Sequence, residues 1–235
     1  MFDWFPKNIS TFGGDIDSVF WLIFYIVGAG FILGEAVILY FAIRYRRKEG
    51  QRAAYFTGEK MSELAWILVP AAIVLVLDFG IDFAGGEAWS KVKGETPASD
   101  IKVIVTGKQF NWNFTYPGPD GTFGTDDDLT LENELHVPVK KVVDLALNSE
   151  DVLHSFFVPV MRLKQDCIPG RKIPAWFEAT GTGQFEIGCA ELCGYGHYTM
   201  RGFLHVHSDE DYAKWIKERW PPQAPAADST AVGQL

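Results

Sequence analysis

Cysteine is scarce in this chain, with three in 235 residues, which is too few for a disulfide-stapled scaffold. Bases are short as well. The 21 Lys and Arg stand against 30 Asp and Glu, a formal charge of −9. The chain therefore lacks the basic face a nucleic-acid partner would need. No Cys-x-x-Cys-His occurs, which excludes an attached haem c. What is abundant is apolar surface: a hydrophobic fraction of 48% excludes a disordered chain and leaves room for a core. The charge is unevenly spread. Residues 1–84 hold 9 acids and 7 bases, whereas residues 85–235 hold 21 and 14, so the acidity belongs mainly to the later part.

The early part is apolar in a particular way. Val19 to Ile43 is a run of 25 residues with one charge, Glu35, and about 20 apolar residues in a helix cross a bilayer. The run ends in Arg44-Tyr45-Arg46-Arg47-Lys48, a basic flank that marks the cytoplasmic side. A cleaved signal peptide would place its positive charge before the apolar region, the reverse of this order. A second span is expected from Leu64 to Ala84. Its first 14 residues are uncharged, Pro70 lies inside it, and Asp78 and Asp82 fall near the outer interface. A polar connection joins the two, so they are expected to form an antiparallel hairpin. Glu35 at membrane depth reads as a group bonded to a neighbouring helix, or as part of a proton route. Glu63 stands where an acid favours a helix N-terminus.

From about residue 100 the pattern changes to short strands. Lys102–Thr106, Val142–Leu147 and Phe203–His207 are β-rich, and Gly and Pro clusters separate such runs. This predicts an all-β sandwich or barrel. Ser208 to Trp220 reads as a short capped helix, and the Pro- and Ala-rich tail from Pro221 as disordered. Asp126-Asp127-Asp128, with Asp120 nearby, is read as a solvated turn, since its spacing is not that of an EF-hand.

The most informative segment is Cys189-Ala190-Glu191-Leu192-Cys193-Gly194-Tyr195-Gly196-His197-Tyr198-Thr199-Met200. It packs two thiols, an imidazole and a thioether into 12 residues, and His154 lies 35 residues upstream. Soft sulfur with imidazole selects copper or zinc. A closed zinc site would use two Cys and two His and leave Met200 idle. A Cys189–Cys193 disulfide would leave His197 and Met200 unexplained. Two thiolates can instead bridge two coppers, with one imidazole for each metal and Met200 and a backbone carbonyl in the remaining positions. Sharing one electron over two metals suits electron transfer. Cys167 reads as a buried thiol. His136, His205 and His207 fall outside any ligand spacing and read as ordinary strand residues.

These residues resemble subunit II of the haem–copper cytochrome c oxidases. The resemblance is carried by Cys189-x-Glu191-Leu192-Cys193-Gly194-x-Gly196-His197-x-x-Met200, His154-Ser155-Phe156, Val158-Pro159 and Asp166-x-Ile168-Pro169-Gly170-Arg171. It implies a two-helix transmembrane antiparallel hairpin followed by an all-β, cupredoxin-like Greek-key barrel. The implied layout is an outer N-terminal segment 1–18, spans at 19–43 and 64–84, a cytoplasmic loop 44–63, a copper A domain 85–220 and a tail 221–235. Residue by residue, it implies dinuclear copper A on His154, Cys189, Cys193, His197, Met200 and the Glu191 carbonyl. The Glu191 side chain would also reach a magnesium shared with subunit I. Glu63-x-x-Trp66, with Pro70, resembles the start of the family's second helix, which implies a proton-pathway role for Glu63.

The implied function is to accept electrons from cytochrome c, free or within a donor complex, and to pass them to haem in subunit I. There oxygen is reduced and protons are pumped, so this chain would be a subunit of a proton-translocating oxidase without the oxygen-reducing site. Implied partners are subunit I with its haem and copper B, other oxidase subunits and membrane lipids, with no nucleic acid. The implied location is a bacterial inner membrane, with both termini and the copper domain outside. The sequence departs from the family at Gln109-Phe110-Asn111-Trp112. Phe110 aligns with the Trp that accepts the electron and Trp112 with the family's second Trp, so electron acceptance is expected at Trp112 or Phe110, with Trp112 the more important. A nitrous-oxide-reductase-like carrier would not need the hairpin. A quinol-oxidase subunit would have lost the copper ligands.

Overall fold

A computed structural model describes residues 5–94 and 96–221. The expected tail therefore lies, from residue 222 on, outside the described residues. The chain divides into two compact units, residues 14–95 and residues 1–13 with 96–235.

The first unit is built on two long helices, α1 (Gly13–Arg44) and α2 (Met61–Trp89), the latter continued by a π-helical turn at Ser90–Gly94. Both are long and apolar enough to cross a membrane, and none of their apolar windows is buried within the chain. A helix satisfies its own backbone hydrogen bonds, which is what a lipid environment demands. At one end Asp15 of α1 pairs with Lys91, next to a groove lined by Val19 and Leu22 on one side and Ala84 and Ala88 on the other. At the other end Phe41 and Arg44 share a groove with Trp66. The helices are thus an antiparallel hairpin. α2 continues through Pro70. Glu35 is exposed and has no hydrogen bond or ion pair among the described residues.

Among the described residues, the second unit is a β domain of ten strands. One sheet has the order β3 (Leu129–Glu132), β2 (Asn111–Tyr116), β1 (Ile101–Lys108), β5 (Val142–Ser149), β8 (Ile173–Glu178). The other has the order β4 (Glu134–Pro138), β10 (Arg201–His207), β9 (Gly183–Cys189), β6 (His154–Val158), β7 (Leu163–Cys167). β1 pairs with β5, and β4 with β10, in parallel; the other pairings are antiparallel. Parallel neighbours far apart in sequence are the mark of a Greek-key closure. Alternation along the strands fills the interior: Val103, Val105, Trp112, Phe114, Leu145, Leu147, Phe156, Ile187 and Leu204 are all buried. Phe114 of one sheet meets Phe156 of the other with ring centroids 6.2 Å apart. The Tyr116 hydroxyl joins the sheets at one edge, donating to the His136 carbonyl (3.0 Å) and accepting the His136 N–H (2.7 Å). α3 (Asp209–Arg219) follows β10 and is capped by Ser208, whose Oγ accepts the Asp211 N–H at 3.2 Å.

The segment ahead of α1 belongs to this β domain. Ile9 donates its N–H to the Val160 carbonyl (3.0 Å) and accepts the Thr180 N–H (2.7 Å). Ile9 and Phe12 are buried, and Phe12 packs edge-on against Trp176 at 5.1 Å. Sequence patterning gives no hint of this docking, because every partner lies at the far end of the chain. The Asp-rich loop spends its carboxylates on its own turn. Asp120 accepts the Thr122 N–H (2.8 Å), Asp127 the Thr125 hydroxyl (2.6 Å) and Asp128 the Gly124 N–H (2.7 Å). This supports the solvated turn.

Candidate metal centre

The thiol-rich loop connects β9 to β10 at one end of the second sheet. Cys189 is the last residue of β9, and Met200 directly precedes β10. The loop turns back on itself through a short 3-10 helix, His197–Thr199, which swings His197 and Met200 towards the cysteines. His154 enters from the neighbouring strand β6, and Phe156 pairs with Cys189 across the ladder.

The donor atoms converge. The Cys189 and Cys193 sulfurs stand 3.8 Å apart as free thiols, well beyond a disulfide bond. His154 Nδ1 lies 3.9 Å from Cys189 Sγ, and His197 Nδ1 lies 3.6 Å from Cys193 Sγ. Met200 Sδ is 3.8 Å from Cys193 Sγ, and the Glu191 carbonyl oxygen is 3.2 Å from Cys189 Sγ. His154, Cys189 and Cys193 form one tight group, to which His197 does not belong. Each imidazole therefore attends its own sulfur, one at each end of the pair. A single tetrahedral ion would draw all four donors around one point; this set spreads along the sulfur pair, as two metals require.

The surroundings hold the donors in place. His154 is fully buried, and its Nε2 lies 2.8 Å from Asp151 Oδ1. With Nε2–H donated to that carboxylate, Nδ1 keeps its lone pair for the centre. Asp151 is fixed in turn by the N–H groups of Gln109 (2.8 Å) and Val152 (2.6 Å). Gln109 Nε2 donates to the Cys193 carbonyl at 2.6 Å. Gly107 leaves room for His154, since a Cβ there would sit 2.9 Å from its ring. Burial, reinforced by Cys189, pushes the Cys193 thiol up to about 11. Cys167 is buried on β7 opposite His154, and its thiol rises to about 12, chiefly through burial. It is a core thiol, as expected.

The two aromatic candidates separate. Trp112 is fully buried, its ring 6.0 Å from that of His154 and 5.5 Å from that of Phe156. Trp112 therefore presents no solvent-facing surface of its own. The strict alternation of Asn111, Asn113 and Thr115 with Trp112, Phe114 and Tyr116 carries the signal that these rings face inward. Phe110 keeps solvent-facing surface and covers the loop so closely that a Cβ on Gly196 would lie 2.5 Å from its ring. In the same loop Leu192, Tyr195 and Tyr198 are among the most exposed large side chains of the β domain. Glu63 lies in the first turn of α2, where its carboxylate accepts the Gly58 N–H at 2.7 Å.

Sequence spacing missed a second gathering of donor atoms. Glu134, His136 and His205 come together on β4 and β10. Burial, with His205 and His207 alongside, pushes His136 down to about 4.

A soft-ligand loop of this geometry, on a two-sheet β domain that follows two apolar helices, defines a membrane protein with a candidate metal centre. A family model described as cytochrome c oxidase subunit II, periplasmic domain, matches residues 101–206. The alternative cytochrome c oxidase subunit 2 of Bradyrhizobium diazoefficiens is 33% identical over 238 residues, covering 92% of this chain and 84% of that protein. Cytochrome c oxidase subunit 2 of Thermostichus vulcanus is 32% identical over 266 residues, covering 91% and 77%. Among solved structures, the periplasmic domain of subunit II of cytochrome oxidase (CoxB) of Bradyrhizobium japonicum is 33% identical. It covers 53% of this chain and 96% of that one, with a TM-score of 0.48. The chain belongs to the cytochrome c oxidase subunit II family. It is a membrane protein whose β domain lies on the outer side.

Proposed function

We propose that the chain is the electron-accepting subunit of a cytochrome c oxidase, holding dinuclear copper A on His154, Cys189, Cys193, His197, Met200 and the Glu191 carbonyl. The observation that carries this reading is the pairing of one imidazole with each of two neighbouring sulfurs, with a thioether beside one of them. When bound, the copper pair supplies a one-electron relay between an outer donor and the haem of subunit I, where oxygen reduction and proton pumping take place.

The chain's own residues prepare that site. Asp151 orients His154, Gln109 fixes the loop at the Cys193 carbonyl, and burial of Cys193 and Met200 keeps water from the sulfurs. Phe110, Leu192, Tyr195 and Tyr198 offer an apolar docking surface, on a domain whose surplus acids favour encounter with a basic cytochrome c. Trp112 lies behind His154 as interior support. Glu191 also offers its side chain: the carboxylate has no hydrogen bond or ion pair among the described residues. Magnesium takes oxygen ligands and keeps several waters, so this carboxylate suits a magnesium completed by subunit I. Glu63 serves the proton pathway from the cytoplasmic end of α2. The basic flank at residues 44–48 supports a topology with the start of α1 on the outer side.

The test is metal analysis and electron paramagnetic resonance on the full chain purified in detergent and loaded with copper. Two coppers per chain are expected, with the seven-line hyperfine pattern of one unpaired electron shared by two equivalent nuclei. A single copper with a four-line pattern, or retention of zinc alone, refutes the reading.

A further inference from the structure

β4 and β10 run parallel with His136 opposite His205. Because side chains alternate along a strand, Glu134 and His136 share one face of β4, and His205 and His207 share the matching face of β10. Leu135, Val137, Leu204 and Val206 take the opposite face and are buried in the core. The polar face lies under α3, whose Trp215 stacks on His136 at 4.9 Å. The His136 and His205 rings stack in turn, with centroids 4.4 Å apart and planes within 7°.

One donor atom from each of Glu134, His136 and His205 lies within 4.8 Å of the other two. His136 Nε2 is 3.5 Å from Glu134 Oε2, and its other nitrogen, Nδ1, is 2.8 Å from His207 Nε2. If His136 donates Nδ1–H to His207, its Nε2 keeps a lone pair that faces Glu134. His205 Nε2 is buried and finds no hydrogen-bond partner among the described residues. Buried polar atoms are nearly always satisfied, so this nitrogen points to a missing ligand.

We propose that Glu134, His136 and His205 form a second metal site, separate from the thiol-rich loop, for a divalent transition metal of the zinc type, with His207 as the orienting outer partner. Two imidazoles and a carboxylate suit Zn2+; calcium and magnesium take oxygen ligands, and cuprous copper takes sulfur. Ligand atoms around a tetrahedral zinc stand about 3.3 Å apart, given bonds of about 2.0–2.1 Å. The Glu134–His136 spacing is already close to that; the exposed Glu134 side chain can move, and the His205 ring has to turn out of its stack on His136 for both in-plane lone pairs to meet one ion. Its solvent-facing side also gives the ion a way in, and a fourth position stays open for water. Such a metal would fasten β4, an edge strand of its sheet, to β10, the strand that leads directly out of Met200.

The test uses Zn2+ alone as the probe on the full chain in detergent, with the thiol-rich loop first loaded with copper. Calorimetry or equilibrium dialysis should find one saturable zinc equivalent. Glu134→Gln, at an exposed position that leaves the core alone, should weaken it by about tenfold or more, and Glu134→Gln with His205→Asn should remove it. Copper content and the copper spectrum should not change in either. The zinc equivalent should persist in a Cys189→Ser/Cys193→Ser chain, which keeps this test independent of the copper reading. Cobalt substituted for zinc should show ligand-field bands without thiolate-to-metal charge transfer. Absence of a saturable equivalent, equal affinity in wild type and Glu134→Gln, or a thiolate charge-transfer band would each overturn the proposal.

Discussion

Among the described residues two clusters of candidate metal-ligating side chains stand out, and they are assembled by opposite routes. Cys189, Cys193, His197 and Met200 follow one another along a single loop, and only His154 comes from elsewhere. Glu134, His136 and His205 meet only because β4 and β10 run parallel in one register. The first cluster is set by local spacing and survives small changes in sheet geometry. The second depends on register, and a slip of one residue would turn Leu135 and Val137 outward in place of Glu134 and His136. Chemistry gathered along a loop is therefore visible in sequence, whereas chemistry gathered across strands is not.

The sharpest way to break the comparison is to remove one bridge of the loop. Cys193→Ser should abolish the dinuclear copper signal in electron paramagnetic resonance of the full chain. Survival of that spectrum would rule out a bridging role for Cys193. Next in size is Asp151→Ala, which frees the His154 ring without touching a ligand. Copper retention against a chelator should fall by about 10–100-fold, the usual cost of losing an outer partner of a ligating His. Unchanged retention would mean that the His154 orientation is set by packing alone.

The register-built half can be tested through Tyr116, whose hydroxyl serves both the N–H and the carbonyl of His136. Tyr116→Phe leaves those buried groups unpaired and should cost about 1–3 kcal/mol in unfolding free energy. The spectrum of the loop centre should be unaffected. A change in that spectrum would show that the two clusters are coupled through β10. At the docking surface, Phe110→Ala should slow oxidation of reduced cytochrome c by about fivefold, the scale of a contact worth ~1 kcal/mol, and by more than Trp112→Phe does. The reverse ranking would return the role to the buried ring.

Legibility followed the same division elsewhere. The runs around Lys102, Val142 and Phe203 fall inside β1, β5 and β10, and the Ser208 cap begins α3, because strand alternation and a capping side chain are local signals. The copper ligand candidates were legible for the same reason, and His154 through its flanking motif. The docking of Ile9 and Phe12 was hidden, since its hydrogen bonds run to Val160 and Thr180. The inward place of Trp112 was legible in the alternation of β2. The histidines stayed hidden because a parallel pairing of distant strands leaves no trace in spacing.

The smallest expected effect is the most discriminating within the loop itself. Met200 is buried and its sulfur lies 3.8 Å from Cys193 Sγ. Leu is close to it in volume, so Met200→Leu should cost less than about 1.5 kcal/mol in stability. A thioether acts on copper as a weak axial donor that tunes potential without holding the metal in place. The dinuclear spectrum should therefore survive Met200→Leu, while a redox titration followed by that spectrum shows a shifted midpoint. Loss of the spectrum would make Met200 a principal ligand. An unmoved midpoint would make it a packing residue and reduce the centre to two sulfurs, two imidazoles and a carbonyl. Zinc affinity at Glu134, His136 and His205 should not change with it, because the loop's donors and the strands' donors share no residue.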